Sequence, residues 1–262
     1  MNGPVETAEG VRDVRDMEIA EDEVPMCGGR ITQGVVRVGD TVRRPVGACS
    51  PFAADLLGHL NRQGFTGAPR HLGHDQAGRD ILSYLPGWVP RRFQRWTDAQ
   101  VGAAGALLRD LHDATRGSTL AGAHPVVCHH DPGPNNTVFR EDRPVAFIDF
   151  DTAAPGDPLE DLGYMAWTWC ITSKSEAPPA EEQAAQVRVL ADAYGLPDRA
   201  RGGLLDAIAD RQARNADWWH AHRRTPAPRI ASEDQITERI AWSHREHAFT
   251  TAHRAAFTTA LR

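Results

Sequence analysis

Residues 126–164, VVCHHDPGPNNTVFREDRPVAFIDFDTAAPGDPLEDLGY, constrain the fold more than any other part of the chain. The apolar run at 126–128 leads into a loop punctuated by proline and glycine. This loop carries His129, Asp131 and Asn136 with the spacing H-x-D-x-x-x-x-N. Segments 137–139 and 145–148 read as two strands around a Glu141-Asp142-Arg143 turn, and the second ends on Asp149, thirteen residues after Asn136. The pattern predicts a hairpin that returns Asp149 to the side of Asp131 and Asn136. A loop carboxylate can orient a hydroxyl and take its proton. An amide oxygen and a second carboxylate suit magnesium on the phosphates of a nucleotide. Asp131 and Asn136 could also be plain turn formers among Pro132, Gly133 and Pro134; the full constellation favours the chemical reading, with Asp131 as the base and Asn136 and Asp149 as metal ligands.

The surrounding residues read as support. His129 is expected to be a buried scaffold, and His130 to face the cleft or solvent. Asp151 is expected either to touch metal or substrate or to cap the next segment. Asp157, before Pro158 and a helical stretch, and Asp161 within that stretch are expected to cap the helix or anchor the catalytic loop. Trp167 and Trp169 read as core.

Composition narrows the rest. The 262 residues, 41% of them apolar, suit one large domain or two lobes sharing a cleft. No run of 18 apolar residues suggests a membrane span, and the first 25 residues lack a secretory pattern, so the cytoplasm is the expected location. Those 25 residues hold eight acids and two arginines, which accounts for the whole net charge of −6. No basic stripe argues for nucleic acid. Cys27, Cys49, Cys128 and Cys170 are scattered without a metal or redox spacing.

Lys174 is the only lysine, against 28 arginines, and it follows the catalytic motif. A cation for nucleotide phosphates in the first part of the chain must therefore be an arginine. Gly28, Gly29 and Gly34 precede an expected hairpin, with strands near Val36–Val38 and through Val42 around a Gly39-Asp40 turn. They would let backbone amides approach phosphates. Of Arg43 and Arg44, strand alternation favours Arg43, on the face of Thr41. Ser50 is expected to cap a helix over 51–62, two more strands fall within 70–84, and LPGWVP at 85–90 is expected to form a hinge. Helices dominate from Asp98 onward, broken at Pro178-Pro179, Gly195 to Pro197 and Thr225 to Pro228. The expected architecture is α+β and bilobal, with an acidic segment at 1–25, a small β-rich lobe at 26–87 and a larger helical lobe at 88–262.

With these residues in place, the chain resembles the aminoglycoside phosphotransferase family, small-molecule phosphotransferases with a protein-kinase-like fold. The resemblance rests on His129, Asp131, Asn136, Ile148-Asp149, Gly156-Asp157-Pro158 and Asp161-Leu162, and more weakly on 26–46 and ILSYLPG. It implies Asp131 as catalytic base, Asn136 and Asp149 as magnesium ligands, and Ser83, Tyr84 and Leu85 as the hinge against which adenine or guanine lies. ATP or GTP would be the donor, a hydroxylated small molecule the acceptor, and the protein a monomer or homodimer. Two departures stand out: the usual strand lysine is an arginine, and helix 51–62 has no glutamate, Asp55 being its only acid. Two rivals are a catalytically weak kinase-fold ligand-binding protein and a His-Asp metal phosphohydrolase built on His112-Asp113, His129-His130-Asp131 and Asp149. The intact triad opposes the first, the strand signals the second. The acceptor is expected to be an antibiotic, with a sugar, choline or nucleoside-type metabolite as the alternative.

Overall fold

Alternation and turn chemistry build the first part of the chain as an antiparallel sheet. The computed structural model describes residues 23–26, 34–90, 94–223 and 231–262, so Gly28, Gly29, Cys27 and the expected break at 225–228 lie outside the described residues. Strands β1 (Val24–Pro25), β2 (Val36–Val38) and β3 (Thr41–Arg44) come first, and β2 and β3 pair through the Gly39-Asp40 turn with Val38 opposite Thr41. Helix α1 (Ser50–Arg62) follows, with Pro51 in its first turn and Leu56, Leu57 and Leu60 buried. Ser50 is not the cap expected of it: its hydroxyl accepts the Gly47 N–H at 2.9 Å, and Cys49 stands at the cap position. β4 (His71–His74) and β5 (Asp80–Ser83) complete the five-stranded sheet in the order β1-β2-β3-β5-β4.

Residues 85–90 leave the sheet as expected, but they are fastened rather than free. Trp88 exchanges both backbone hydrogen bonds with Phe139, at 3.0 and 2.8 Å. Gly87 makes this approach possible: its φ is +144°, and a Cβ there would lie 2.3 Å from the Phe139 carbonyl oxygen. The Trp88, Phe139, Trp96 and Trp169 rings then pile against one another with centroids 4.9–5.9 Å apart.

The helical part begins with α2 (Asp98–Thr115), opened by a Thr97/Gln100 capping box and buried along Val101, Ala104, Leu108 and Leu111. β6 (Val126–Cys128) follows. β7 (Thr137–Arg140) and β8 (Arg143–Phe147) form the expected hairpin, with Glu141 and Asp142 both at positive φ in its turn. β9 (Ala154–Gly156) pairs with β6, and α3 (Pro158–Met165) runs into a π-helical turn at Ala166–Cys170. α4 (Ala180–Tyr194), α5 (Asp198–His222), α6 (Glu233–Ala252) and α7 (Arg254–Leu261) finish the chain. Trp167 and Trp169 are buried, as expected of core, with Trp167 stacked on Trp242 at 4.4 Å. The architecture is a small antiparallel sheet joined to a larger helical part, an α+β arrangement as expected. No helix among the described residues is long and apolar enough to cross a membrane.

Candidate active site

The site is built outward from one buried carboxylate. Asp161, on α3, has no exposure to solvent and accepts the backbone N–H groups of His129 and His130, each at 2.7 Å. His112 of α2 lies 3.0 Å from the same carboxylate and bonds Tyr194 of α4 through its other nitrogen at 2.9 Å. Burial opposes ionisation of Asp161, but the hydrogen bond and charge of His112, with His129 and His130 nearby, hold its carboxyl below the ordinary range. Asp161 thus anchors the start of the loop, while Asp157 caps α3 by accepting the Leu159 N–H at 2.9 Å. The two support roles fall on different residues.

His129 is the expected scaffold. It is fully buried against Phe147 and Phe150, its Nε2 lies 3.1 Å from the Ile148 carbonyl, and its Nδ1 accepts the Asp131 N–H at 3.3 Å. One imidazole therefore ties the loop bearing Asp131 to the strand end bearing Asp149. His130 makes contacts that its sequence context did not indicate. Its φ is +63°, its ring bonds the Thr152 carbonyl at 3.1 Å and faces Glu160 at 3.3 Å, and its carbonyl accepts from Arg211 at 2.8 Å. It is held by these contacts and stays partly exposed to solvent.

Asn136 is bonded to Asp131 through its side chain and to Ile148, the neighbour of Asp149, through its backbone. Asn136 donates to the Asp131 carboxylate at 2.7 Å and to its carbonyl at 3.0 Å, and the Asn136 carbonyl accepts the Ile148 N–H at 2.9 Å. Its amide oxygen, which accepts from Asn135 at 3.0 Å, keeps a second lone pair. The remaining Asp131 oxygen, Oδ1, is buried and bonds to none of the described residues. Asp149 adopts φ +67°, and apart from the Glu141-Asp142 turn only it and His130 do so among described non-glycine residues. A left-handed aspartate costs about 1–2 kcal/mol, and it is held here because the strand before it and the short helical turn Phe150–Thr152 after it fix both sides. Burial pushes the Asp149 carboxyl above its ordinary range, and the Asp151 and Asp131 charges push the same way against His129 and Arg44. The Asn136 amide oxygen and the Asp149 carboxylate are oxygen donors of the kind a magnesium ion takes, and the Asp149 carboxylate, whose charge burial opposes, would be favoured by a cation beside it.

The two candidate arginines turn different ways. Thr41 and Arg43 share a face, and the Arg43 guanidinium bonds Thr41 and lies 3.9 Å from Asp75. Arg44 is the one turned inward: it bonds Asp151, with Asp80 at 3.9 Å, and lines a small cavity with Ser50, Ala53, Leu57 and Asp149. Asp80 stands directly opposite Arg44 in the β3–β5 register, and α1 turns Ser50, Ala53 and Leu57 toward the same cavity. That pairing follows from antiparallel register and was readable once β3 and β5 were set side by side. Of the hinge residues, Ser83 and Tyr84 spend their amides on Arg70 and Asp40 at 2.9 and 2.8 Å, while the Leu85 amide bonds to none of the described residues. Gly34, at φ +79°, sits just before β2.

Two supporting roles were not assigned from the sequence. His112 lies on the buried face of α2 with Leu108 and Leu111, and Arg211 lies beside the inward Ile208 and Gln212 of α5, with its guanidinium 4.6 Å over the Tyr164 ring. Helical spacing was the available signal for both. Asp113, by contrast, is exposed and paired with Arg109 at 2.6 Å, which separates the His112-Asp113 pair that a His-Asp metal site would need.

A model of the Phosphotransferase enzyme family matches residues 116–205. The Trifolitoxin immunity protein of Rhizobium leguminosarum bv. trifolii is 30% identical over 262 residues, spanning 92% of this chain and 99% of that protein. Spectinomycin phosphotransferase, solved with ADP and spectinomycin, superposes with a TM-score of 0.60 at 12% identity, over 87% of this chain and 89% of that one. A choline/ethanolamine kinase family protein from Mesorhizobium loti gives 0.56 at 18% identity, over 87% and 88%. At these identities the two structures share a fold with this chain and carry nothing about its substrate.

Proposed function

The chain belongs to the phosphotransferase enzyme family, and on that premise we propose that it is a cytoplasmic kinase that moves the γ-phosphoryl group of ATP or GTP to a hydroxyl of a small antibiotic or toxin, conferring immunity by modification. The observation that carries the reading is Asp131: one oxygen is fixed by Asn136 and the other is buried without a partner among the described residues. A group so held is ready for an acceptor hydroxyl. The acceptor oxygen bonds to the γ-phosphorus, the bond to the β–γ bridging oxygen breaks, and the hydroxyl proton passes to Asp131 late, because the transition state is loose. The nucleoside diphosphate leaves. Asn136 and Asp149 would hold magnesium, which when bound neutralises phosphate charge. Arg44, rather than Arg43, would grip the phosphates, Leu85 would meet the base, and Gly28, Gly29 and Gly34 would cover the phosphates with backbone amides. The immunity role is favoured by the relative aligned along nearly its whole length.

The test is a panel of hydroxylated antibiotics and metabolites offered with each nucleotide, following diphosphate release, beside growth of a sensitive bacterium expressing the chain. Release with an antibiotic and matching protection of growth are expected. Release only with a sugar, choline or a nucleoside would overturn the immunity reading.

Three variants probe the parts. Arg44→Ala should weaken nucleoside triphosphate binding about ten- to a hundredfold, the loss of a charge-assisted contact of roughly 1.5–3 kcal/mol, and should leave nucleoside binding unchanged. Arg43→Ala should do little. Calorimetry giving the opposite order would return the phosphate role to Arg43. Asp149→Asn should raise the thermal midpoint of the metal-free protein, since a buried carboxylate crowded by Asp131 and Asp151 is lost. A carboxyl raised on folding erodes stability as pH climbs from the unfolded value through the raised one. The gain should therefore be present at neutral pH and vanish below the ordinary aspartate range. The same variant should lose the magnesium-dependent tightening of nucleotide binding; a lower midpoint, or magnesium enhancement equal to wild type, would contradict the assignment.

A further inference from the structure

A second group of metal-ligand side chains lies in the five-stranded sheet, outside the catalytic triad. In a regular strand, residues three apart point to opposite faces. His71 and His74 escape that rule: Gly73 has φ +107°, and the β4–β5 register shifts between the two histidines. The bulge brings both imidazoles to one carboxylate oxygen, Oδ1 of Asp80, at 3.1 Å from the His71 Nε2 and 3.3 Å from the His74 Nε2.

We propose that His71, His74 and Asp80 form a binding site for a transition-metal dication of the zinc class. The three donor atoms lie within 4.8 Å of one another. A tetrahedral ion with bonds of about 2.0–2.1 Å needs ligand edges of roughly 3.3 Å, so small side-chain rotations close the set. Asp80 is 4% exposed, and its other oxygen faces the Arg44 Nε at 3.9 Å. The guanidinium charge lies on the side of Oδ2, away from the Oδ1 that both imidazoles approach. His74 is exposed, which supplies an entry path and room for a water as fourth ligand. Two imidazoles and one carboxylate select a borderline ion, whereas the oxygen donors of Asn136 and Asp149 suit magnesium. One chain would thus carry two cation sites of different hardness, and the sheet site does not depend on the phosphotransferase reading. His71 hydrogen-bonds Asp80, whereas the His74 imidazole approaches the same oxygen without a hydrogen bond, as a second ligand would.

Chelator-stripped protein would be titrated with cobalt(II) in excess magnesium and followed by visible absorption, then displaced with zinc. One equivalent with the intense absorption of a four-coordinate nitrogen–oxygen site is expected in wild type and in Asp149→Ala. His74→Ala, at an exposed position and checked for fold by circular dichroism, should bind at least ~100-fold more weakly, beyond the 10–100-fold that loss of an orienting partner costs. His71→Ala should behave likewise. Absence of the absorption in wild type, its survival in His74→Ala, or its loss in Asp149→Ala would each overturn the site.

Discussion

Asp131→Asn is expected to cut turnover by at least ~10²-fold, the usual scale for a positioned acid–base group, while fold and nucleotide binding stay close to wild type. The amide oxygen of the new side chain can still accept from Asn136, which now holds the Asp131 carboxylate at 2.7 Å, so the local geometry survives. What disappears is the ability to take a proton. Comparison of kcat, thermal midpoint and nucleotide affinity for the two proteins checks this, and turnover within a few-fold of wild type would remove Asp131 from the role of base.

The largest expected effect on stability belongs to Asp161→Ala, at about 3–5 kcal/mol, the scale for removing one partner of a buried charged network. Three donors converge on this carboxylate, and the variant leaves the His129 and His130 amides without a buried acceptor. The carboxyl is held below its ordinary range in the folded state, so its contribution is full above the unfolded aspartate value and is lost as pH falls through the depressed one. Denaturant unfolding of the variant should therefore lie far below wild type at neutral pH and approach it in acid. A loss under ~1 kcal/mol would mean that the loop is fixed by other contacts. Turnover should fall as well, because the amides of His129 and His130 set the direction in which the chain enters Asp131.

What could be read from residues alone was mostly local. The β7–β8 hairpin announces itself through short alternating runs around a polar turn, and once it forms, Asp149 has to return beside Asn136. Helix α2 follows from its 3.6-residue spacing. What could not be read shares one cause, contact between distant segments. Alternation placed Arg43 with Thr41 correctly but could not say which face of β3 meets Asp149 and Asp151, since packing against α1 and the Phe150 turn decides that. The contacts of His130 could not be read because Asp161, Thr152 and Arg211, which bond it, lie up to 81 residues away. His71 and His74 carried no readable pattern because the bulge at Gly73 breaks the two-residue period on which strand reading depends.

The central claim, phosphoryl transfer to a small-molecule hydroxyl with Asp131 as base, is met most directly by weighing the acceptor. A responsive antibiotic would be incubated with magnesium and ATP or GTP, separately with wild-type protein and with Asp131→Asn, and examined by mass spectrometry. Wild type should convert it to a species heavier by one phosphoryl group, carried on a hydroxyl oxygen, while the variant leaves it unchanged over the same time. An unmodified antibiotic beside released inorganic phosphate, or equal modification by both proteins, would contradict the account.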